Sequence, residues 1–570
     1  MQVTKEDVIR LLEQISLYLE LNGENPFKIR AFKKAASALE FEERSITEID
    51  NFEDIPNIGK GTAAIIAEYI STGSSSLFIS LQNELPNSLL ELLKIPGLGP
   101  KKISRLYREL GITDIATLKA ACEEKKVRSL NGFGPMTEMN LLKQLADYGK
   151  RPERFPLAYM NSWIEKLEYD LNLIESIETY SRAGSFRRFR ETLKDLDYVI
   201  ATNDPEDVRD KLLDMYEATE AVAKGETKVT ITLPDKFHIQ VDFRLVHPHQ
   251  FATALHHFTG SKEHNVRMRQ LAKERGEKIS EYGIEQLETG KILTFTNEEQ
   301  FYHHFNLPYI PPEIREDGSE VDLYTDTYGL IAEKDILGDL HMHTNWSDGN
   351  NTLVEMIDAC RNKGYQYMAV TDHSQFLKVA NGLSVDRVLK QIEEIWKLNE
   401  KYADIEILAG IEMDILPDGS LDFDDAILEQ LDFVIASIHS SFNQPQDMIM
   451  KRLKKACENP HVDMIAHPTG RLIGKRNGYD VDVDQLFQLA IDTNTILELN
   501  ADPNRLDLSA EFVRKAQAAG VTIAINTDAH RIQELEHIAF GIGTARKGWI
   551  KKQHVINTYS KDRLLSYLKN

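Results

Sequence analysis

Seven short apolar, β-branched runs recur through the last third of the chain: ILGDLHMH (336–343), YQYMAVTDH (365–373), IEILAGIE (405–412), DFVIASIH (432–439), VDMIAH (462–467), TILELNA (495–501) and VTIAINTDAH (521–530). Six of the seven close on His, Asp or Glu. Near-continuous apolar runs predict strands covered on both faces, as in a parallel barrel. Such strands present their carboxyl ends on one rim, so side chains from His341 to His530 would converge on a single pocket.

The middle of the chain follows a different rhythm. In KDLDYVI (194–200) polar and apolar positions alternate, so Asp195 and Asp197 face one way on a strand while Leu196 and Tyr198 pack behind. HIQVDFRLV (238–246) alternates likewise and brings Asp242 to the same sheet. Residues 1–150 predict short amphipathic helices, separated by three loops of one type: Pro56–Gly61 (PNIGKG), Pro96–Lys102 (PGLGPKK) and Asn131–Pro135 (NGFGP).

A chain of 570 residues exceeds what one core serves, and three or four domains are expected. Nowhere do about 18 apolar residues run together as a membrane span needs, and the start lacks a secretory core, so a soluble, cytoplasmic protein is expected. Cys122, Cys360 and Cys457 are too few and too scattered for a disulfide framework or a thiolate zinc site. The net charge of −23 argues against nucleic acid, but residues 1–150 are nearly balanced, with 19 Lys and Arg against 21 Asp and Glu.

Three glycine loops within a short span, each opening a helix, form the helix-hairpin-helix pattern. Gly59, Gly61, Gly97, Gly99, Gly132 and Gly134 let the backbone approach a phosphate, and the helix N–H groups bind it. Lys101 and Lys102 follow the second loop. Such contacts grip nucleic acid without reading bases. Lys28, Lys33 and Lys34 on a basic helix form either a further phosphate site or a solvated face around Ile29 and Phe32.

Asp195, Asp197 and Asp242 together can hold two Mg²⁺ ions, the arrangement of nucleotidyl transfer. Gly184 and Ser185 supply a tight turn with donors for triphosphate oxygens, and Arg188 a stabilising charge. In the last third, His341, His343, Asp348, His373, Glu412, His439, His467, Asp528 and His530 offer imidazole and carboxylate without thiolate. That chemistry suits Zn²⁺, Mn²⁺ or Fe²⁺, and nine ligands predict three ions. Asp372 is expected to hydrogen-bond behind the ligands. Arg471 and Lys475 either hold substrate phosphates or are surface charge. His247, His249, His256, His303, His304 and His461 fall outside the pattern and are expected to be structural or exposed.

With these motifs in this order, the chain resembles the family X DNA polymerases, the polymerase beta group, in the bacterial form fused to a PHP (polymerase and histidinol phosphatase) domain. The resemblance implies a multidomain α and α/β fold: a helical helix-hairpin-helix N-terminal region, a nucleotidyltransferase palm and thumb, and a C-terminal distorted (β/α)7 PHP barrel. The implied boundaries are 1–80 and 81–150 for two DNA-binding helical domains, 151–250 for the palm, 251–315 for the thumb, 316–335 for a linker and 336–570 for the barrel. It implies that His257, Phe258 and Gly260 lie under the incoming sugar, with Asn265 and Arg269 near the nascent pair, and that Lys28 matches a 5′-phosphate contact.

The implied activity is gap filling in base excision repair, with a PHP-domain 3′→5′ exonuclease and 3′-end or abasic-site processing. The implied cofactors are Mg²⁺ or Mn²⁺ in the palm and Mn²⁺, Zn²⁺ or Fe²⁺ in the barrel. The implied partners are gapped or primer-template DNA with a 5′-phosphate, dNTPs and, functionally, DNA ligase and other repair enzymes, with the protein a monomer. The chain departs from the family at Phe189 and Arg190, where Gly and Lys are usual, and at His257, which takes the place of a Tyr. Ile65 stands where relatives with lyase activity carry a Schiff-base lysine. The alternative is a PHP-type small-molecule phosphatase with an attached nucleotide-binding region, which leaves three hairpins without a task.

Overall fold

The computed structural model describes every residue except 1, 2, 41, 43, 45, 47, 48, 50, 87, 94, 96, 97, 131, 148–151, 217–223, 226, 227, 236, 326, 569 and 570. Gly97 of the second hairpin therefore lies outside the described residues, as do Pro96 and Asn131. The chain divides into two compact units, Met1–Pro152 and Glu153–Asn570.

The first unit is helical. Lys5–Leu21 begins where Thr4 and Asp7 cap each other reciprocally, and Val8, Leu11, Leu12, Ile15 and Leu19 bury one stripe at helical spacing. Its main neighbour is Pro26–Glu40. Lys60–Thr72, Pro100–Leu110 and Pro135–Asp147 each follow one of the three glycine loops. A single buried cluster extends from Val8 to Leu145, so the two domains expected at 1–80 and 81–150 share one core.

In the second unit, a five-stranded sheet has the order Thr179–Arg182, Leu196–Ala201, Gln240–Val246, Lys228–Thr232, Lys224–Gly225. Leu196–Ala201 and Gln240–Val246 run parallel. Behind them Tyr198 and Phe243 stack at 5.8 Å, in a core shared with the helix Leu157–Asn172. The following segment pairs the helices Phe251–Thr259 and Lys262–Glu274 with a small antiparallel sheet. Ser261 caps the second helix by accepting the His264 N–H at 3.0 Å.

The segment from 316 to 321 is packed rather than part of a free linker. Glu320 is fully buried with its carboxylate 2.5 Å from His264 Nδ1, and Val321 shares a core with Met268, Tyr302 and Trp549. The polar composition that suggested a linker is satisfied by partners distant in sequence.

Seven parallel strands then follow in chain order: Gly338–Asp339, Tyr367–Val370, Glu406–Asp414, Phe433–Ser437, Met464–Ile465, Ile496–Asn500 and Ile523–Asn526. Each corresponds to one of the seven apolar runs. The ring is nearly closed, because the residues after the last strand bond to those after the first: His343 N–H to Ala529 O at 2.8 Å and Asp528 N–H to His341 O at 3.0 Å. All three cysteines are buried and free. Among the described residues no single helix is long and apolar enough to cross a membrane.

Candidate active sites

Parallel register makes Asp197 and Asp242 direct partners on adjacent strands, and Asp195, in the bend just before the strand, is close enough to act on Asp197 electrostatically. Burial first, and then the carboxylates of Asp195 and Asp242, push Asp197 up to about 7. Lys228 Nζ lies 2.7 Å from Asp242 Oδ2, and the Thr230 hydroxyl donates to Asp242 Oδ1 at 2.5 Å. A buried carboxylate that resists ionisation beside two others, with an ammonium group drawn to the cluster, fits divalent cations.

Gly184, at φ +56°, lies beside this cluster, where an added Cβ would collide with the Asp197 carboxylate. The turn is tied on both sides: Ala183 N–H donates to Asp197 O at 2.8 Å and Arg190 N–H to Ser185 O at 3.1 Å. Arg188 is engaged by the neighbouring segment, donating to Thr259 O at 2.7 Å and Glu316 at 3.1 Å. Asn265 Nδ2 donates to His257 O at 2.9 Å and Gly260 O at 3.3 Å, while its Oδ1 is buried without a hydrogen-bond partner. Gly260 is required by that packing, since a Cβ would come within 2.7 Å of Asn265 Oδ1. Arg244 covers the Phe258 ring at 4.7 Å. Burial, with Arg269 and Arg244 nearby, holds the His257 imidazole below its usual value.

The barrel rim gathers its ligands more tightly. Among the described residues, groups of ligand atoms within 4.8 Å of one another are His343, Asp348, His373 and His530; His341, His343 and Asp528; and His373, Glu412 and His439. The palm aspartates form no group of that closeness. His467, outside the three groups, reaches the cluster through Glu412 Oε1 at 2.9 Å. His343 Nε2 faces His341 Nε2 at 3.2 Å, and the buried His343 Nδ1 has no hydrogen-bond partner. Two imidazole nitrogens this close and a buried ring nitrogen without a hydrogen-bond partner fit bound metal ions.

The imidazoles are pulled apart electrostatically. Burial, then the neighbouring His530 and His373, push His343 down to about 3. Burial presses His341 down as well, but Glu498, Asp528 and Glu412 outweigh it and hold that ring well above its usual value. By the same balance, chiefly against Glu412, His439 is pushed up to about 10.

Sequence reasoning missed the layer behind these ligands. Glu498, wholly buried, accepts from His341 Nδ1 at 2.8 Å and from the His467 N–H at 2.7 Å. The available signal was an acid inside the apolar run TILELNA, the one run that does not close on a ligand. Asp414 lies 3.3 Å from His439 Nδ1, and Arg505 3.6 Å from Asp528 Oδ2. Asp372 binds Thr344, Ser347 and Gln391, and so fixes the loop that carries Asp348 rather than a ligand ring. Arg471 pairs with Glu191 of the palm at 2.9 Å.

In the first unit, an added Cβ at Gly59, Gly61, Gly99 or Gly134 would meet nothing within 4 Å, and Gly132 takes φ +86°. These backbones are open to an outside group. A shallow cavity of about 440 Å³ brings Lys33 and Lys34 beside Asn57 of the first hairpin. Lys33 pairs with Glu20 at 2.7 Å and Lys28 with Glu24 at 3.6 Å. Lys101 and Lys102 begin the helix after the second loop, with Lys102 Nζ 5.8 Å from the Phe133 ring centre.

Helical hairpins, a carboxylate-edged sheet and a ligand-rimmed barrel in one chain define a multidomain nucleotidyltransferase joined to a metallo-phosphoesterase fold. Residues 3–75 match a helix-hairpin-helix domain, 89–147 a SAM-like helix-hairpin-helix tandem, 254–316 a DNA polymerase beta thumb and 339–502 a PHP domain. The chain is 55% identical over 565 residues to the DNA polymerase/3′-5′ exonuclease PolX of Bacillus subtilis (strain 168), covering 99% of each. A probable phosphatase of Thermoanaerobacter sp. (strain X514) is 30% identical over 246 residues, 40% of this chain and 94% of that protein. A probable phosphatase of Clostridium acetobutylicum is 27% identical over 254 residues, 40% of this chain and 93% of its own. The chain belongs to the PolX family, the bacterial family X DNA polymerases with a C-terminal PHP domain.

Proposed function

We propose that the protein is a DNA-directed DNA polymerase that fills short gaps during repair, with a metal-dependent 3′→5′ exonuclease in its barrel. The observation that carries this reading is kinship along 99% of the chain with a polymerase/exonuclease. Asp195, Asp197 and Asp242 would hold Mg²⁺ or Mn²⁺; the nine barrel ligands would hold three ions of Mn²⁺, Zn²⁺ or Fe²⁺. Such ions activate a primer 3′-hydroxyl and neutralise departing pyrophosphate in the palm, and supply a low-pKa water to a phosphodiester in the barrel.

The chain's own groups do the placing. Gly184 and Ser185 offer N–H and hydroxyl donors to the triphosphate, and the His257–Gly260 turn, braced by Asn265, floors the sugar. The hairpin glycines admit the DNA backbone, and the cavity of Lys33, Lys34 and Asn57 receives a 5′-phosphate at the gap. The alternative, a PHP-type small-molecule phosphatase with an attached nucleotide-binding region, leaves the three hairpins without a task and is not adopted.

Primer extension on gapped DNA tests the assignment. Asp197→Ala should lower synthesis by more than about a hundredfold while sparing 3′→5′ degradation, and His341→Ala should do the reverse. Synthesis surviving Asp197→Ala would overturn the palm assignment.

A further inference from the structure

The palm turn that faces the incoming nucleotide does not stand alone. After Gly184–Arg187 the chain enters Phe189 at φ +53°, a left-handed conformation that is unfavourable for a bulky side chain and persists only where its surroundings impose it. The imposing surface belongs to the barrel. The Phe189 ring lies directly on Gly543 of the helix Ile538–Lys547, so close that an added Cβ there would collide with the ring and meets no other neighbour within its three nearest atoms.

Further ties hold the residues on either side of Phe189. Lys547 Nζ donates to Arg188 O at 3.3 Å and to Glu316, which also pairs with Arg188 and Arg190. Arg471, on the loop after the barrel ligand His467, pairs with Glu191 at 2.9 Å. Phe540, one turn before Gly543, packs against the palm core. The turn is stiff enough to transmit this grip, because Phe189 N–H bonds to Phe186 O and Arg190 N–H to Ser185 O, each at 3.1 Å.

We infer that the barrel is a positioning element of the polymerase: by seating Phe189 on Gly543 it sets where Gly184 and Ser185 meet the nucleotide triphosphate. The inference rests on the polymerase reading of the palm. It also accounts for the departure at Phe189, since a glycine there would adopt the turn without strain but would have no ring with which to hold it.

The test uses the full-length chain and single-nucleotide insertion on gapped DNA. Gly543→Ala forces the ring off its seat, and overpacking of this kind should raise the KM for dNTP by about tenfold with kcat within about twofold of wild type. Phe189→Gly in the same chain removes the clash, so the double variant should return to the KM of Phe189→Gly alone. Exonuclease activity on a single-stranded 3′ end should match wild type in all three variants. Lys547→Met, which removes a tie without adding bulk, should raise the same KM to a lesser extent.

An unchanged dNTP KM in both Gly543→Ala and Lys547→Met would overturn the inference. So would a double variant whose dNTP KM differs from that of Phe189→Gly alone, or a Gly543→Ala defect that lowers exonuclease in parallel. Absence of insertion by the wild-type chain would instead sink the polymerase reading itself.

Discussion

The palm and barrel clusters handle buried charge in opposite ways. The palm buries carboxylate beside carboxylate on two adjacent strands with Arg244 and Lys228 close by, and burial first, then Asp195 and Asp242, push Asp197 up to about 7. The barrel interleaves imidazole with carboxylate and backs both with a second buried layer, Glu498 foremost. The first is a site to be completed by whatever brings cations to it, as a nucleotide triphosphate does. The second has the closed ligand set and backing layer that would suit ions kept between turnovers.

The most damaging change on the barrel side should be His343→Ala, because His343 alone with His373 belongs to two of the three ligand groups. Metal analysis of the purified variant should show a larger loss than His530→Ala, which touches one group. Equal losses would break the picture of a shared central ligand. Next, Glu498→Gln keeps the size of the group behind His341 but removes its charge, and exonuclease activity or metal affinity should fall by about 10- to 100-fold with synthesis unaffected.

Chelation separates the clusters by a smaller margin. If the barrel holds its ions at a hundredfold excess over Kd, their removal should cost about 2.7 kcal/mol, seen as a lower unfolding temperature. The palm, without nucleotide, should contribute nothing measurable to that shift.

The smallest effect concerns an imidazole–carboxylate pair outside both clusters. His341 beside Glu498 is held well above its usual pKa, whereas His264 beside Glu320 is held well below it by burial and by Arg315 and Arg188. Burial pushes Glu320 itself up to about 8, so this pair is neutral in the fold. An unfolded glutamate titrates near about 4.3. The stability contributed by the neutral carboxyl is therefore complete below that value and is lost as pH rises towards 8. Glu320→Gln cannot ionise, so its unfolding temperature should gain on wild type between pH 5 and pH 8. A constant difference across that range would show the pair to be ionic.

Much of this architecture was legible because strands with two covered faces leave continuous apolar runs, and because six of the seven runs end on a side chain able to bind a metal. His341, His343 and His530 could be placed on one rim from that alone. The glycine loops were legible for a similar reason: an open Cβ position at Gly59 or Gly99 has no internal cause, which points outward. What escaped depends on distant partners. Glu498 is marked by nothing in the sequence except its place in an apolar run, since only folding brings His341 and His467 onto it, and residues 316–335 read as a linker because nothing local reveals that His264 covers Glu320. Phe189 could be seen as a departure but not explained, since Gly543 lies in another domain.

The closure of the barrel has a consequence for how the protein is made. Two of the three ligand groups need Asp528 or His530, which join His341 and His343 only when the residues after the seventh strand bond back to those after the first. A growing chain therefore cannot complete its ligand crown until residues 528 to 530 have emerged, and the helix Ile538–Lys547 that seats the palm turn emerges later still, so both sites wait on the same C-terminal stretch.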